Sequence, residues 1–216
     1  GQWSAAIRYF ERARSMAEEY GFADLEFHSR TNLADCAVQL RDPVGGLAAL
    51  SQFRTETPET RPQMSVSANG LNTLSRLHLL AGNLDAARIH AEESSRLART
   101  ARLEKIAPNS EAVLALIDVF SGAVDKGFPV LERALLFEKQ KSQIELPDYL
   151  GMCIDAYEAV GRADKALEYL QELVEWKRKS AEAAVTPLQH EGLTGAIGSE
   201  TSTSFSDDGL LARAYL

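Results

Sequence analysis

Apolar residues recur along most of this chain at helical spacing, in blocks separated by short polar or glycine-bearing breaks. The pattern predicts a helix over 3–20. It then predicts pairs at 23–40 with 43–55, 64–81 with 84–103, 107–121 with 125–141, and 146–160 with 163–183. Ala and Leu dominate these blocks and β-branched runs are scarce, which favours helix over strand. Pro43 and Pro147 fall in first turns, where a missing N–H is harmless. Pro58 and Pro62 bound the connection before 64–81, and Pro108 marks another helix start.

The blocks repeat. Positions 1, 41, 82, 122 and 161 are 40, 41, 40 and 39 residues apart, and each is followed five residues later by a small residue: Ala6, Gly46, Ala87, Gly127 and Ala166. Four of the five anchors are glycine, the residue that ends a helix most readily because it accepts positive φ. The small residue falls in the first turns of the next helix, where two helix axes can approach to about 8–10 Å only if one side is small. Eight and seven residues before the last four anchors stand Leu33-Ala34, Leu74-Ser75, Leu114-Ala115 and Cys153-Ile154, so in three of the four a large apolar residue is followed by a small one.

Large–small pairs and an aromatic (Tyr157) in a first helix, glycine in the turn and alanine in a second helix (Gly82 and Ala87, Gly161 and Ala166) resemble the tetratricopeptide repeat family. The resemblance spans residues 1–183, is closest at Gly82 and Gly161, and is degenerate at Arg41 and Gly122. The period near 40 exceeds the family's usual 34, a variant common in bacterial regulatory members. It implies an all-α fold, a right-handed α-α superhelix of about four and a half repeats, with the first helix of each pair lining a concave face.

Beyond the repeats the composition changes. Residues 184–205 hold Gly192, Gly195, Gly198 and a Ser/Thr run, which is linker chemistry, and Ser206-Asp207-Asp208 reads as a cap for a further helix over 206–216. Together with the opening Gly1-Gln2-Trp3-Ser4, this leads to the expectation of a piece of a longer protein, with another domain downstream.

The net charge of −8 argues against nucleic acid, whose binding requires basic groups to neutralise phosphates. Lys177-Arg178-Lys179 is the one short basic run and reads as last-turn cations opposing a helix dipole. Two cysteines, Cys36 and Cys153, lie far apart in apolar surroundings and read as buried free thiols in a reducing, cytoplasmic setting. No apolar run approaches the roughly 18 residues of a membrane span. His28, His78, His90 and His190 have no metal-ligand spacing, and His78 occupies the slot that Tyr157 fills in its own repeat. No nucleophile elbow, phosphate loop or catalytic carboxylate pair is present in the sequence, and no cofactor or metal is expected. Trp3 and Trp176 read as packing residues near the two ends.

Positions thirteen before each anchor hold His28, Asn69, Asn109 and Asp148; three further on stand Thr31, Asn72, Ala112 and Gly151, and then Asp35, Arg76, Leu116 and Asp155. On the resemblance these point into the groove. An Asn amide both donates and accepts, so it can pair with any peptide backbone, and a guanidinium takes a carboxylate on two bonds. The expected partner-binding set is His28, Asp35, Asn69, Asn72, Arg76 and Asn109, with Leu116, Val119 and Phe120 making the far end apolar. The expected role is a non-catalytic module that binds a peptide or protein within a multidomain bacterial signalling protein. The alternative is a dimerisation module that holds an output domain in register, such as a cyclic-dinucleotide enzyme.

Overall fold

The computed structural model describes residues 2–51, 60–141 and 145–194. The first anchor, Gly1, the end of the helix expected over 43–55, Pro58, and the helix expected over 206–216 lie outside the described residues. Among the described residues all regular structure is helical: α1 (Gln2–Tyr20), α2 (Ala23–Gln39), α3 (Pro43–Ala49), α4 (Arg61–Leu80), α5 (Leu84–Thr100), α6 (Ile106–Phe120), α7 (Val124–Gln140), α8 (Leu146–Ala159) and α9 (Ala163–Thr194). Two compact units divide the chain, the first running to Val130 and the second beginning at Leu131, within α7.

The helices end where the anchors fall, and for the expected reason. Gly82, Gly122 and Gly161 have φ of +76°, +88° and +73°. At Gly82 the next amide, Asn83 N–H, returns to the His78 carbonyl at 2.8 Å while Gly82 N–H reaches Leu79 at 3.0 Å, the two bonds of a Schellman turn. The same pair closes α6 through Ala123 to Asp118 and Gly122 to Val119. Arg41 adopts φ +55° to make this turn after α2, so a side chain is tolerated where glycine is the easier choice. The turn also appears at two places between the anchors, Gly21 (φ +71°) and Arg102 (φ +53°), where one pair hands over to the next. Caps secure the other ends. The Asp42 carboxylate accepts Gly45 N–H, Asn83 accepts Ala86 N–H, and Thr60 with Gln63 forms a reciprocal capping box ahead of α4.

In the first unit α1 packs on α2, α2 on α3 and α4, α3 on α4, α4 on α5 and α6, and α5 on α6. Ala34, Ala37, Val38, Leu50, Leu74 and Leu77 form one core between α2, α3 and α4; Ala68, Leu71, Leu97 and Ala98 form another between α4 and α5. The small residues five past the anchors sit where the helices touch, and Gly46, Ala87, Gly127 and Ala166 are all buried. A Cβ on Gly127 would stand 2.5 Å from both the Ala115 carbonyl oxygen and Val119 Cγ2, and one on Gly46 would collide with Leu77. Buried hydroxyls stitch the same contacts: Ser75 Oγ donates to the Ala87 carbonyl at 2.7 Å, and Ser94 Oγ to Ala68 at 2.6 Å. The stitching works because a small residue brings a backbone carbonyl within reach of a short side chain.

In the second unit α8 packs on α9. The Tyr157 ring stacks on Tyr169 at 5.7 Å, and its hydroxyl donates to Glu132. His78 and His90, at the same offsets from Gly82, stack at 5.3 Å with their planes 18° apart. The slot is therefore a ring-stacking position in both repeats, as the alignment of His78 with Tyr157 implied. In the Gly122 repeat it holds Asp118, which is 6% exposed and takes Arg88 Nη2 at 2.8 Å and Lys126 Nζ at 2.7 Å. An ionic clamp between α5, α6 and the start of α7 replaces the stacked rings.

Two helices depart from expectation at their ends. α3 has seven residues, and α9 runs to Thr194, into the stretch expected as linker from 184. Ala181, Ala183, Ala184 and Leu188 are good helix formers, and the glycine-rich run begins only at Gly192. Lys177-Arg178-Lys179 are accordingly mid-helix and not in a last turn. Arg178 pairs with Glu175 and Glu182, and Lys179 with Glu175.

Overpacking at a backbone contact is expected to lower the stability of Gly127→Ala by about 1–3 kcal/mol, read as a fall in the urea midpoint, although alanine has the higher helix propensity. Asp118 supplies a pH-dependent contribution. Burial raises its pKa, but the hydrogen bonds from Lys126 and Arg88 outweigh this and hold the carboxyl below its ordinary 3.8. The stabilisation is complete above the unfolded-state pKa and is lost as pH falls through the lower folded value. Asp118→Asn should therefore be less stable than wild type at neutral pH by about 1–2 kcal/mol, with the gap closing in acid below about pH 4.

Candidate functional site

The first helices of the repeats, α2, α4 and α6, lie side by side, and hydrogen bonds across their contacts join two of the six expected partner-binding residues, Asn72 and Asn109, and reach a third, Asp35. Asn72 is the centre. It is 5% exposed on α4, and its Nδ2 donates to Asn109 Oδ1 on α6 at 3.1 Å. The Asn72 Oδ1 is buried and receives no hydrogen bond from any described residue. Buried polar atoms in native proteins are nearly always met by protein groups or by ordered water. Asn109 is half-buried; with its oxygen held by Asn72, its Nδ2 keeps both N–H bonds for solvent or a ligand.

The α2 side is built by Thr73. Its Oγ1 donates to Asp35 Oδ1 at 2.7 Å and lies 3.1 Å from the Asn69 carbonyl oxygen on its own helix. One hydroxyl cannot donate to both at once, so the Asp35 contact, the shorter and charged one, dominates. Asp35, Asn69 and Arg76 are half-buried. Arg76 follows Asn72 by one helical turn and Asn69 precedes it by three residues, so the three share one face of α4. His28 is not gathered in. It is exposed near the start of α2, edge-on to Phe27 at 6.5 Å, and shares no hydrogen bond with the other five.

Much of the apolar end expected of the groove is core. Leu116 and Val119 are each 3% exposed, and Ala112 and Thr31 are enclosed as well. α6 packs on both α4 and α5, which covers more of its circumference than counting from the anchors suggested. Phe120 alone of the three presents surface, at 40% exposure. Asp148, Gly151 and Asp155 belong to the second unit.

The residues of the face are a carboxylate, a guanidinium and amides, with no nucleophile–base pair among them. Cys36 and Cys153 are buried, and burial pushes their thiols up to about 11 and about 12, so neither is a thiolate at neutral pH. The His78–His90 pair, lowered chiefly by burial, is neutral there too. Among the described residues no three His, Cys, Asp or Glu gather as metal ligands, and no helix is long and apolar enough to cross a membrane.

No protein-family model matches this chain, and no curated protein is significantly similar to it.

Stability separates the amide pair from the stitching hydroxyls. Asn72→Ala removes one hydrogen bond of about 1 kcal/mol together with one unsatisfied acceptor of similar size, so the midpoint should hardly move. Ser94→Ala, which breaks fully buried bonds to Ala68 and Ser110, should cost about 2 kcal/mol by the same measurement. A larger loss for Asn72→Ala than for Ser94→Ala would make the amide pair part of the scaffold.

Proposed function

We propose that this chain is a protein-interaction module that holds a peptide segment of a partner against the α2–α4–α6 face. The observation that carries the reading is the Asn72–Asn109 pair. The buried Asn72 amide holds the half-buried Asn109 by its oxygen, which fixes the orientation of Asn109 and leaves its N–H bonds to meet a partner. Asn72 acts as a positioning residue, and Asn109 as the group that meets the partner through its free N–H bonds. Arg76 on α4 and Asp35 on α2 add charges of both signs to the same three helices, so a polar, charged segment suits the face better than an apolar one.

The wider reading follows from the repeat. Regular left-handed turns, small residues at each crossing and adjacent first helices support a right-handed tetratricopeptide-like superhelix with this face concave. Two buried, unbridged thiols accord with the reducing cytoplasm, and the resemblance of layout suggests the regulatory part of a bacterial signalling protein.

The test uses linear peptides selected from a random displayed library against the protein, with affinity measured by calorimetry. Arg76→Ala and Asn109→Ala should each weaken a selected peptide by tenfold or more, and Asn72→Ala by a similar factor through loss of orientation, while Glu92→Ala on the exposed side of α5 leaves it unchanged. Peptides that bind all four variants like wild type would place recognition elsewhere.

A further inference from the structure

The ring slot beside the Gly82 turn is filled by two histidines, His78 in the last turn of α4 and His90 on α5, stacked at 5.3 Å. Both are half-buried. Neither imidazole makes a hydrogen bond to a described residue, and no titratable group among them acts on either ring except the other histidine. The charged groups on the helices around the pair are engaged elsewhere or face away. On α2, Asp35 is held by Thr73, and Glu26 by Arg30. α3 carries no charged residue. On α4, Arg76 is two residues from His78 and so on another side of the helix. On α5, Glu93 is closed on Arg96, and Asp85 and Glu92 are exposed. On α6, Glu111 takes Arg99, and Asp118 takes Arg88 and Lys126.

The equivalent slots behave differently. In the Gly161 repeat the rings are Tyr157 and Tyr169, whose hydroxyls burial pushes up and keeps uncharged at neutral pH. In the Gly122 repeat the slot is the Asp118 clamp, already charged and compensated. In the Arg41 repeat it holds Ala37. Among these slots, only the histidine pair changes charge between about pH 8 and about pH 5.

We infer that the His78–His90 pair is an acid-sensitive latch between α4 and α5, closed while the rings are neutral and released when both take protons. A first proton leaves one ring neutral. A second sets two cations 5.3 Å apart in a half-buried contact without a counter-ion, and desolvation and repulsion both oppose it. The protons therefore add in two steps that belong to the pair. Burial lowers both rings, and His78 lowers His90 further. The sign follows. An opened pair takes its protons near the ordinary 6.5, before the closed pair does, so opening gains as pH falls through that value and levels off below the closed pair's last step. The latch concerns the α4–α5 contact and holds whether or not the α2–α4–α6 face binds a peptide.

Hydrogen–deuterium exchange of the protein, corrected for the intrinsic rate, tests this at about pH 7.5 and about pH 5. Amides flanking the Gly82 turn should lose about tenfold in protection on acidification, and those flanking the Gly161 turn should keep theirs. His90→Phe, which retains a ring and removes one charge, should abolish most of the loss. Histidine ring resonances of the unaltered protein supply a second readout that needs no variant: His78 and His90 should titrate together in two separated steps. An equal loss at both turns would overturn the inference. So would a loss undiminished in His90→Phe, or independent one-step titration of both rings at the ordinary value.

Discussion

Two helices joined by a turn of a few residues must pass close to each other, and the side chains at the crossing have to make room. Here Gly46, Ala87, Gly127 and Ala166 make it, each five residues past a left-handed turn residue. The turn fixes where the second helix begins; the small residue fixes how closely it can lie; the closeness lets Ser75 and Ser94 reach carbonyls on the facing helix. Each step depends on the one before. The cores between α2, α3 and α4 and between α4 and α5 are correspondingly rich in alanine.

The polar groups inside the first unit belong to that geometry but play two roles. Ser75, Ser94 and Ser110 are satisfied and enclosed, and they set the register between helices that apolar packing alone would let slide. Asp118 does the same with ions, drawing Arg88 and Lys126 to one carboxylate where the neighbouring repeats stack rings. Asn72 differs, because its hydrogen bond leaves one end of the amide unmet while the amide it orients stays half-open. That contrast within one set of buried polar residues is the ground on which a recognition role is proposed for the α2–α4–α6 face.

Turn chemistry and small residues made the helices and their pairing legible in the sequence, because both act over a few neighbouring positions. Gly82, Gly122 and Gly161 could be read directly. Arg41 needed the spacing of its neighbours, and the left-handed Arg102 gives no signal of its own, since its conformation is imposed by the bonds of Arg102 to Arg99 and Leu103 to Ala98. The candidate face was legible only in outline. Counting from the anchors identifies residues on one side of a helix, but how much of that side a neighbour covers depends on packing angle. Thus Leu116 and Val119 went into the core while Asn69 and Arg76 stayed partly open. The pairing of Asn72 with Asn109 joins different offsets in two repeats, and the clasp of Thr73 on Asp35 uses a residue no offset selected. Neither is visible in a one-dimensional pattern. The length of α9 was obscured by a compositional shift that begins before the helix ends.

The central claim, that the amide pair is kept for a partner, is tested most directly by the side-chain amide resonances of Asn72 and Asn109 in a nitrogen-15 correlation spectrum during titration with a bound peptide. The account predicts that both pairs of amide signals shift and that the Asn109 protons become protected from exchange with solvent. Signals that stay fixed through saturation, with shifts confined to residues outside α2, α4 and α6, would contradict it.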